Sequence, residues 1–272
     1  MLKFIKNIIK KYFIKERIVP FYVKEVSSNL LVGKSALVTG GTSGIGLAIA
    51  KKMIEAGCCV TITGRNEDKL KKISSEIKSE YLVLDISNLD DMYIHLDSFY
   101  KTNNIDILVN SAGYHGLEKF RCVTEKEWHK VMDVNVKGLY FLSQYVANKM
   151  IKDKIKGHIL NLSSASSLKP SWTPYEISKR AVSGITLGLA QELIPYGIVV
   201  NAIAPGPTAT PMLNFNDVNS PDLTWKANPS GRVATVEEIA NLALFMVSSL
   251  GDYIVGDTFY MTGGSGTIDI NK

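Results

Sequence analysis

From about residue 35 onward, apolar positions recur in two alternating rhythms. Short apolar runs, rich in β-branched residues and too brief for helices, predict strands at Ser35–Thr39, Cys59–Thr63, Tyr81–Leu84, Ile105–Val109, His158–Leu162, Ile198–Ile203 and Thr258–Met261. Between them, helix-like segments run from Leu47 to Glu55, through Lys69 and Ile77, ahead of Ile105, from Glu125 to Met150, onward from Tyr175, and from Val236 to Val247. Seven strands alternating with helices predict an α/β fold with a doubly wound, mostly parallel seven-stranded sheet. Helices cover both faces, giving three layers, α/β/α. Right-handed crossovers fix the winding. Ligands of such sheets bind beyond the carboxyl ends of the strands.

The first 29 residues follow a different pattern. Residues 2–14 put Ile5, Ile8, Ile9, Tyr12 and Phe13 along one side of a helix and Lys3, Lys6, Lys10 and Lys11 largely on the other. Lysines interrupt the apolar run and no small-residue cleavage site follows, which excludes a secretory signal. Packing against its own domain or a partner subunit is the first expectation for this basic amphipathic helix. Peripheral contact with an anionic membrane is the second. Pro20 and Ser27-Ser28-Asn29 mark a boundary, so the chain reads as an extension, 1–29, and one catalytic domain, 30–272.

Composition changes this picture little. The 272 residues are 46% hydrophobic and 21% charged, ordinary for a globular domain. A net charge of +5 suggests nucleic acid until its location is read: seven Lys or Arg face the single acid Glu16 between Met1 and Lys24. The rest is near neutral, without a basic stripe, and nucleic acid is set aside. Cys58, Cys59 and Cys122 show no metal-ligand spacing and are expected to be buried thiols in a reducing, cytoplasmic compartment. No apolar run reaches 18 residues.

Two stretches carry chemistry. The first strand runs into Gly40-Gly41-Thr42-Ser43-Gly44-Ile45-Gly46 and then a helix, a Rossmann-type arrangement that offers backbone N–H groups and a helix N-terminus to a pyrophosphate. The second is Tyr175-Glu-Ile-Ser-Lys179. Four residues of helix put phenol and ammonium on one face, where a cation lowers the phenol's pKa from about 10 toward useful acid–base chemistry. A lone Tyr-x-x-x-Lys is more often a half-buried tyrosine beside a solvated lysine, so its surroundings decide.

With these elements the chain resembles the single-domain short-chain dehydrogenase/reductase family, from about Leu30 to the C-terminus. Thr39 to Gly46 matches the cofactor loop, with Gly40, Thr42, Ser43, Gly44, Ile45 and Gly46 as its binding residues. Asp85, followed by Ile86, matches the adenine-side aspartate, and Asn110-Ser-Ala112-Gly113 the element after the fourth strand. Asn135, Ser164, Tyr175 and Lys179 match the catalytic set; Pro205, Gly206, Thr208 and Thr210 match the segment that holds the nicotinamide amide. The resemblance implies that Ser164 holds the substrate oxygen, Tyr175 moves the proton, Lys179 tunes the phenol and binds ribose hydroxyls, and Asn135 holds a relay water.

Two departures accompany it. Ser164 precedes Tyr175 by eleven positions where the family has about thirteen, so the pocket wall differs and Ser163 or Ser166 stay open as alternatives. Thr262-Gly263-Gly264 replaces a common Asp-Gly-Gly without evident catalytic meaning.

The second strand ends Thr63-Gly64-Arg65, with no carboxylate for a free ribose 2′-hydroxyl and an arginine suited to a 2′-phosphate. NADP(H) is expected, with NAD(H) as the second choice because Ser43 is not basic and Glu67 and Asp68 are near. Pro211 to Gly231 reads as a substrate lid offering Met212, Leu213, Phe215 and Trp225; Tyr114, His115 and Trp172 are further lining candidates. His115 alone is weak, since a loop histidine more often meets solvent.

The expected activity is hydride transfer between nicotinamide and a ketone or secondary alcohol, with Tyr175 as general acid/base. The rivals are a cofactor-binding regulator or scaffold without turnover, and a sugar-nucleotide epimerase or dehydratase. The full catalytic set argues against the first, and the last predicted strand close to the C-terminus leaves no substrate domain for the second. Family likeness of the helices near Glu125 and Tyr175 implies a homotetramer, or else a homodimer.

Overall fold

The computed structural model describes residues 29–116, 119–213 and 223–268. The amphipathic pattern at 2–14 and the lid residue Phe215 lie outside them. Seven parallel strands form one sheet: β1 Ser35–Thr39, β2 Cys59–Gly64, β3 Glu80–Val83, β4 Ile107–Asn110, β5 His158–Leu162, β6 Val199–Pro205 and β7 Thr258–Met261. Their order is β3-β2-β1-β4-β5-β6-β7, so the winding reverses between β1 and β4. A crevice opens there beyond the strand ends.

The central strands β1, β4, β5 and β6 are buried on both faces, which is why they read as continuous apolar runs. Ala36 and Val38 of β1, with Ile107 and Val109 of β4, pack under helices α1 (Gly44–Glu55), α2 (Glu67–Ile77) and α7 (Val236–Met246). Leu37 and Leu108, one residue out of phase, pack under α3 (Leu89–Phe99), α5 (Leu139–Lys152) and α6 (Pro174–Leu193). Strand alternation thus feeds two cores from one sheet. Among the described residues, no helix is long and apolar enough to cross a membrane.

The helix expected over Glu125–Met150 is not uniform. After α4 (Glu125–Met132) it widens into a π turn, Asp133–Gly138, before α5 begins. A π turn displaces one helical turn from the i→i−4 ladder and often marks a functional position. Here it holds Asn135. The thiols also differ from expectation, because only Cys58 is buried while Cys59 and Cys122 are exposed. Cys58 lies inside the turn before β2 and Cys59 opens the strand on its outer side.

At the opposite, amino-end face of the sheet lies a second cleft of about 380 Å³. Leu30 and Leu31 line it with the Lys34–Asp106 ion pair and the His158–Asp252 hydrogen bond, each 3.1 Å.

Candidate active site

The crevice at the β1–β4 switch is a cleft of about 650 Å³, within the ~300–1,000 Å³ usual for cofactor and ligand sites. Its floor is the glycine loop. Gly40 has φ +66°, and a Cβ there would stand 2.9 Å from Ala112 Cα. A Cβ on Gly46 would stand 2.5 Å from the Gly40 carbonyl oxygen, so only glycine lets α1 start directly against the loop. Thr39 ties this loop to the next one, its Oγ1 accepting from the N–H groups of Ser111 and Ala112 at 3.0 Å each.

The residues present fit a dinucleotide. Helix α1 has no side-chain cap from Ser43 and no acid in its first turn, unlike α2, α3 and α4, each capped by a side chain and begun with acids. Its N–H groups are left to an anion. Thr42, Ser43, Gly44, Ile45 and Gly46 line this part of the cleft. At one end Arg65 is joined by Asn66 and Lys69, with Asp85 and Ile86 across from them. Asp85 is itself fixed by Ser87, whose N–H and Oγ donate to it at 2.9 and 2.6 Å.

At the other end lie Ala112, Gly113, Tyr175, Lys179, Pro205 and Thr210. Asn110, Gly206 and Thr208 lie behind the wall. Asn110 Nδ2 donates to Ser143 and Asn161 at 2.9 Å each, joining β4 to α5 and β5 in a buried polar network. Thr208 Oγ1 donates to the Gly206 carbonyl at 3.0 Å, shaping the turn after β6.

Tyr175 owes its place to the start of α6. Thr173 caps the helix, Pro174 opens it, and the Glu176 carboxylate accepts from Thr173 N at 2.8 Å, a capping box written as Thr-Pro-Tyr-Glu. The Ser164 hydroxyl stands near enough to the phenol to act on its pKa. Ser163 instead donates to the Lys179 carbonyl at 2.8 Å, and Ser166 N donates to Ser164 Oγ at 3.1 Å. Of the three serines left open by the short loop, Ser164 is the one facing Tyr175.

Lys179 is buried and donates to the Leu162 carbonyl at 2.8 Å, its ammonium 5.8 Å from the centre of the Tyr175 ring. The expected lowering of the phenol pKa is reversed here. Burial pushes Tyr175 above its ordinary value, outweighing the Ser164 hydrogen bond that acts the other way. Burial also pulls Lys179 down to about 8, and a cation that is costly to keep and aimed at a carbonyl exerts little pull on the phenol.

Asn135 is 1% exposed and lies beneath the cleft. Its Oδ1 accepts from Tyr114 N at 2.8 Å, while Nδ2 donates to Tyr114 O at 3.0 Å and to Ser178 Oγ at 3.0 Å. His115 follows, its ring packed on Tyr175 with centroids 4.3 Å apart. Trp172 is 59% exposed in the loop before α6. Lys69 was not singled out by sequence, although it stands four residues after Arg65 on the first turn of α2.

A family model described as enoyl-(acyl carrier protein) reductase matches residues 39–266. The chain is a short-chain dehydrogenase/reductase. This dehydrogenase/reductase is 36% identical over 243 residues to the 3-oxoacyl-[acyl-carrier-protein] reductase FabG of Aquifex aeolicus, covering 86% of this chain and 98% of that protein. Its fold matches a solved gluconate 5-dehydrogenase from Burkholderia cenocepacia J2315 in complex with NADP and tartrate, with TM-score 0.80 and 31% identity over 89% of this chain and 99% of that one. It also matches 3-ketoacyl-(acyl-carrier-protein) reductase from Brucella melitensis complexed with NADH, with TM-score 0.77 and 29% identity over 88% and 100%.

Proposed function

We propose that this short-chain dehydrogenase/reductase is NADP(H)-dependent and works between a ketone and a secondary alcohol, with Tyr175 as general acid/base. The observation that carries the reading is the buried phenol of Tyr175, beside Ser164 and Lys179 at one end of a dinucleotide-sized cleft. When bound, the nicotinamide supplies or accepts the hydride. Ser164 and Tyr175 hold the substrate oxygen, and the raised pKa keeps the phenol protonated at neutral pH, ready to give its proton to that oxygen during reduction. Lys179, poised near 8, is the group able to return a proton toward the phenol. Asn135 acts on the same end by fixing the Tyr114 backbone.

Arg65 and Lys69 on one wall, with Gly64 in place of an acid, support NADP(H) over NAD(H). The comparison with an NADP complex agrees, while the NADH complex marks the family's latitude. The deciding measurement is kcat/KM with NADPH and NADH against a panel of ketones; a preference for NADH overturns the assignment.

Self-association, as a tetramer or a dimer, is part of the same reading. On α6, Leu187 is 61% exposed between Gly184 and Gly188, where an added Cβ would meet nothing within 4 Å. That is a surface a second helix can approach closely. Phe259 and Tyr260 are exposed on β7 at the sheet's edge. Three free thiols support a reducing, cytoplasmic setting.

A further inference from the structure

We propose that Arg180 is a positioning residue for the reaction: its guanidinium ties the loop that carries Ser164 to the helix that carries Tyr175, and so sets the two hydroxyls against each other. The inference rests on those hydroxyls sharing the substrate oxygen, as in the proposed reaction.

Ser164 and Tyr175 are close in sequence, yet the chain between them is slack. Ser164 caps a short 3₁₀ turn, Ala165–Leu168, its Oγ accepting from Ser166 N at 3.1 Å. Its carbonyl accepts from Ser167 N at 3.0 Å and from Ser167 Oγ at 2.8 Å. Ser164 and the turn therefore move as one unit. From Pro170 to Trp172, among the described residues, no backbone–backbone hydrogen bond is made. That stretch cannot by itself hold the turn at a set distance from α6.

Arg180 supplies the hold. It lies on α6 one residue past Lys179, and helical side chains lean back toward the N-terminus, here toward the loop that leads into the helix. Its Nε donates to the Ser167 carbonyl and its Nη2 to the Lys169 carbonyl, each at 3.1 Å. Both acceptors stand at the end of the 3₁₀ turn, where a helix leaves its carbonyls without internal partners. A guanidinium can meet two such groups at once because its donors form a rigid planar fork, and its charge strengthens each bond. Among the described residues Arg180 has no carboxylate partner, so its donors are committed to the loop.

The other brace on the turn is weaker. Ser167 Oγ meets the Tyr260 hydroxyl of β7 at 3.4 Å, long for a bond between hydroxyls. Arg180 itself is exposed and does not line the nucleotide cleft. Any effect it has on turnover must run through the loop and Ser164.

The test uses the full chain with NADPH and ethyl acetoacetate as the ketone. Arg180→Ala is expected to lower kcat about tenfold, the scale of a sub-ångström to ångström misplacement, while KM for NADPH stays within about twofold. Amide hydrogen exchange read by mass spectrometry should quicken in peptides spanning 164–173 and stay unchanged along the rest of α6. Arg180→Lys, able to make one of the two bonds, should recover part of the lost kcat. In a Ser164→Ala background the same Arg180→Ala change should cost less than about twofold, because the group it positions is gone. Full kcat in Arg180→Ala, unchanged exchange over 164–173, or a loss undiminished in the Ser164→Ala background each overturns the proposal. Tyr175→Phe is run in parallel: near-normal turnover there defeats the acid/base reading, and the exchange measurement still judges the Arg180 brace separately.

Discussion

The side-chain amide of Asn135 binds the backbone of Tyr114 at both of its polar atoms, 2.8 Å at N–H and 3.0 Å at the carbonyl. One side chain thereby replaces two backbone hydrogen bonds that a loop residue would otherwise seek in water. Asn135→Ala leaves those two backbone groups short of a partner, while Ser178 Oγ keeps its bond to the Tyr175 carbonyl. A loss of about 1–3 kcal/mol is expected, with a Tm lowered by about 2–4 °C for each kcal/mol. Calorimetry measures it, and turnover should fall further than stability because the loop beside Tyr175 loosens.

Tyr175→Phe removes the oxygen proposed to carry the proton and leaves the ring against His115. Turnover is expected to fall by about 10²–10⁴, while nucleotide binding, followed by fluorescence titration, stays within about threefold of the original.

The direction of the phenol shift sets the pH behaviour. A pKa above the ordinary 10.0 keeps Tyr175 protonated at neutral pH, favouring reduction. Alcohol oxidation needs the phenolate and should climb steadily as pH rises from 7 toward 10. Profiles of kcat/KM in both directions check this; an oxidation rate that is flat across that range contradicts it.

Lys179 links stability to pH in the opposite sense from a salt-bridged lysine. Its folded pKa of about 8 lies below the ordinary 10.5, so the folded protein binds the proton less tightly than the unfolded chain. The stability contributed by the neutral amine is fully present above about pH 10.5 and is lost as pH falls through about 8. Denaturant unfolding at pH 7 to 10 should show the gap between the natural chain and Lys179→Met moving in favour of the natural chain as pH rises.

Arg65→Ala and Lys69→Ala are each expected to raise KM for NADPH by about tenfold, the scale of a lost charge-assisted hydrogen bond. KM for NADH should stay within about twofold. Equal effects on both cofactors would place these cations away from the 2′-phosphate.

On α6, Leu187→Glu puts a charge on the exposed apolar ridge between two glycines. Light scattering should show the natural chain as a dimer or tetramer and the variant shifted toward smaller species.

Much of this was legible in the residues. All seven strands were marked by their apolar runs, most plainly the central ones, where a doubly covered parallel sheet leaves no polar alternation. The glycine spacing is likewise local and readable; the capping box at Thr173 to Glu176 is just as local but was not singled out. The π turn was not legible, since its Asn135 makes its contacts across the fold, with Tyr114 and Ser178, and no local spacing announces them. Nor could spacing reveal that Lys179 would turn to the Leu162 carbonyl. Its effect on the phenol depends on burial and orientation, and a motif encodes neither. The choice among Ser163, Ser164 and Ser166 needed the path of a loop shortened at no marked position. Lys69 was missed although its four-residue interval from Arg65 was available.

Leu30 and Leu31 lie at the cleft on the amino-end face, so the polypeptide enters the domain on the side away from the nucleotide. A tether joined directly at Leu30 pulls from that rear face. Tethered in this way, the enzyme would present its catalytic mouth outward.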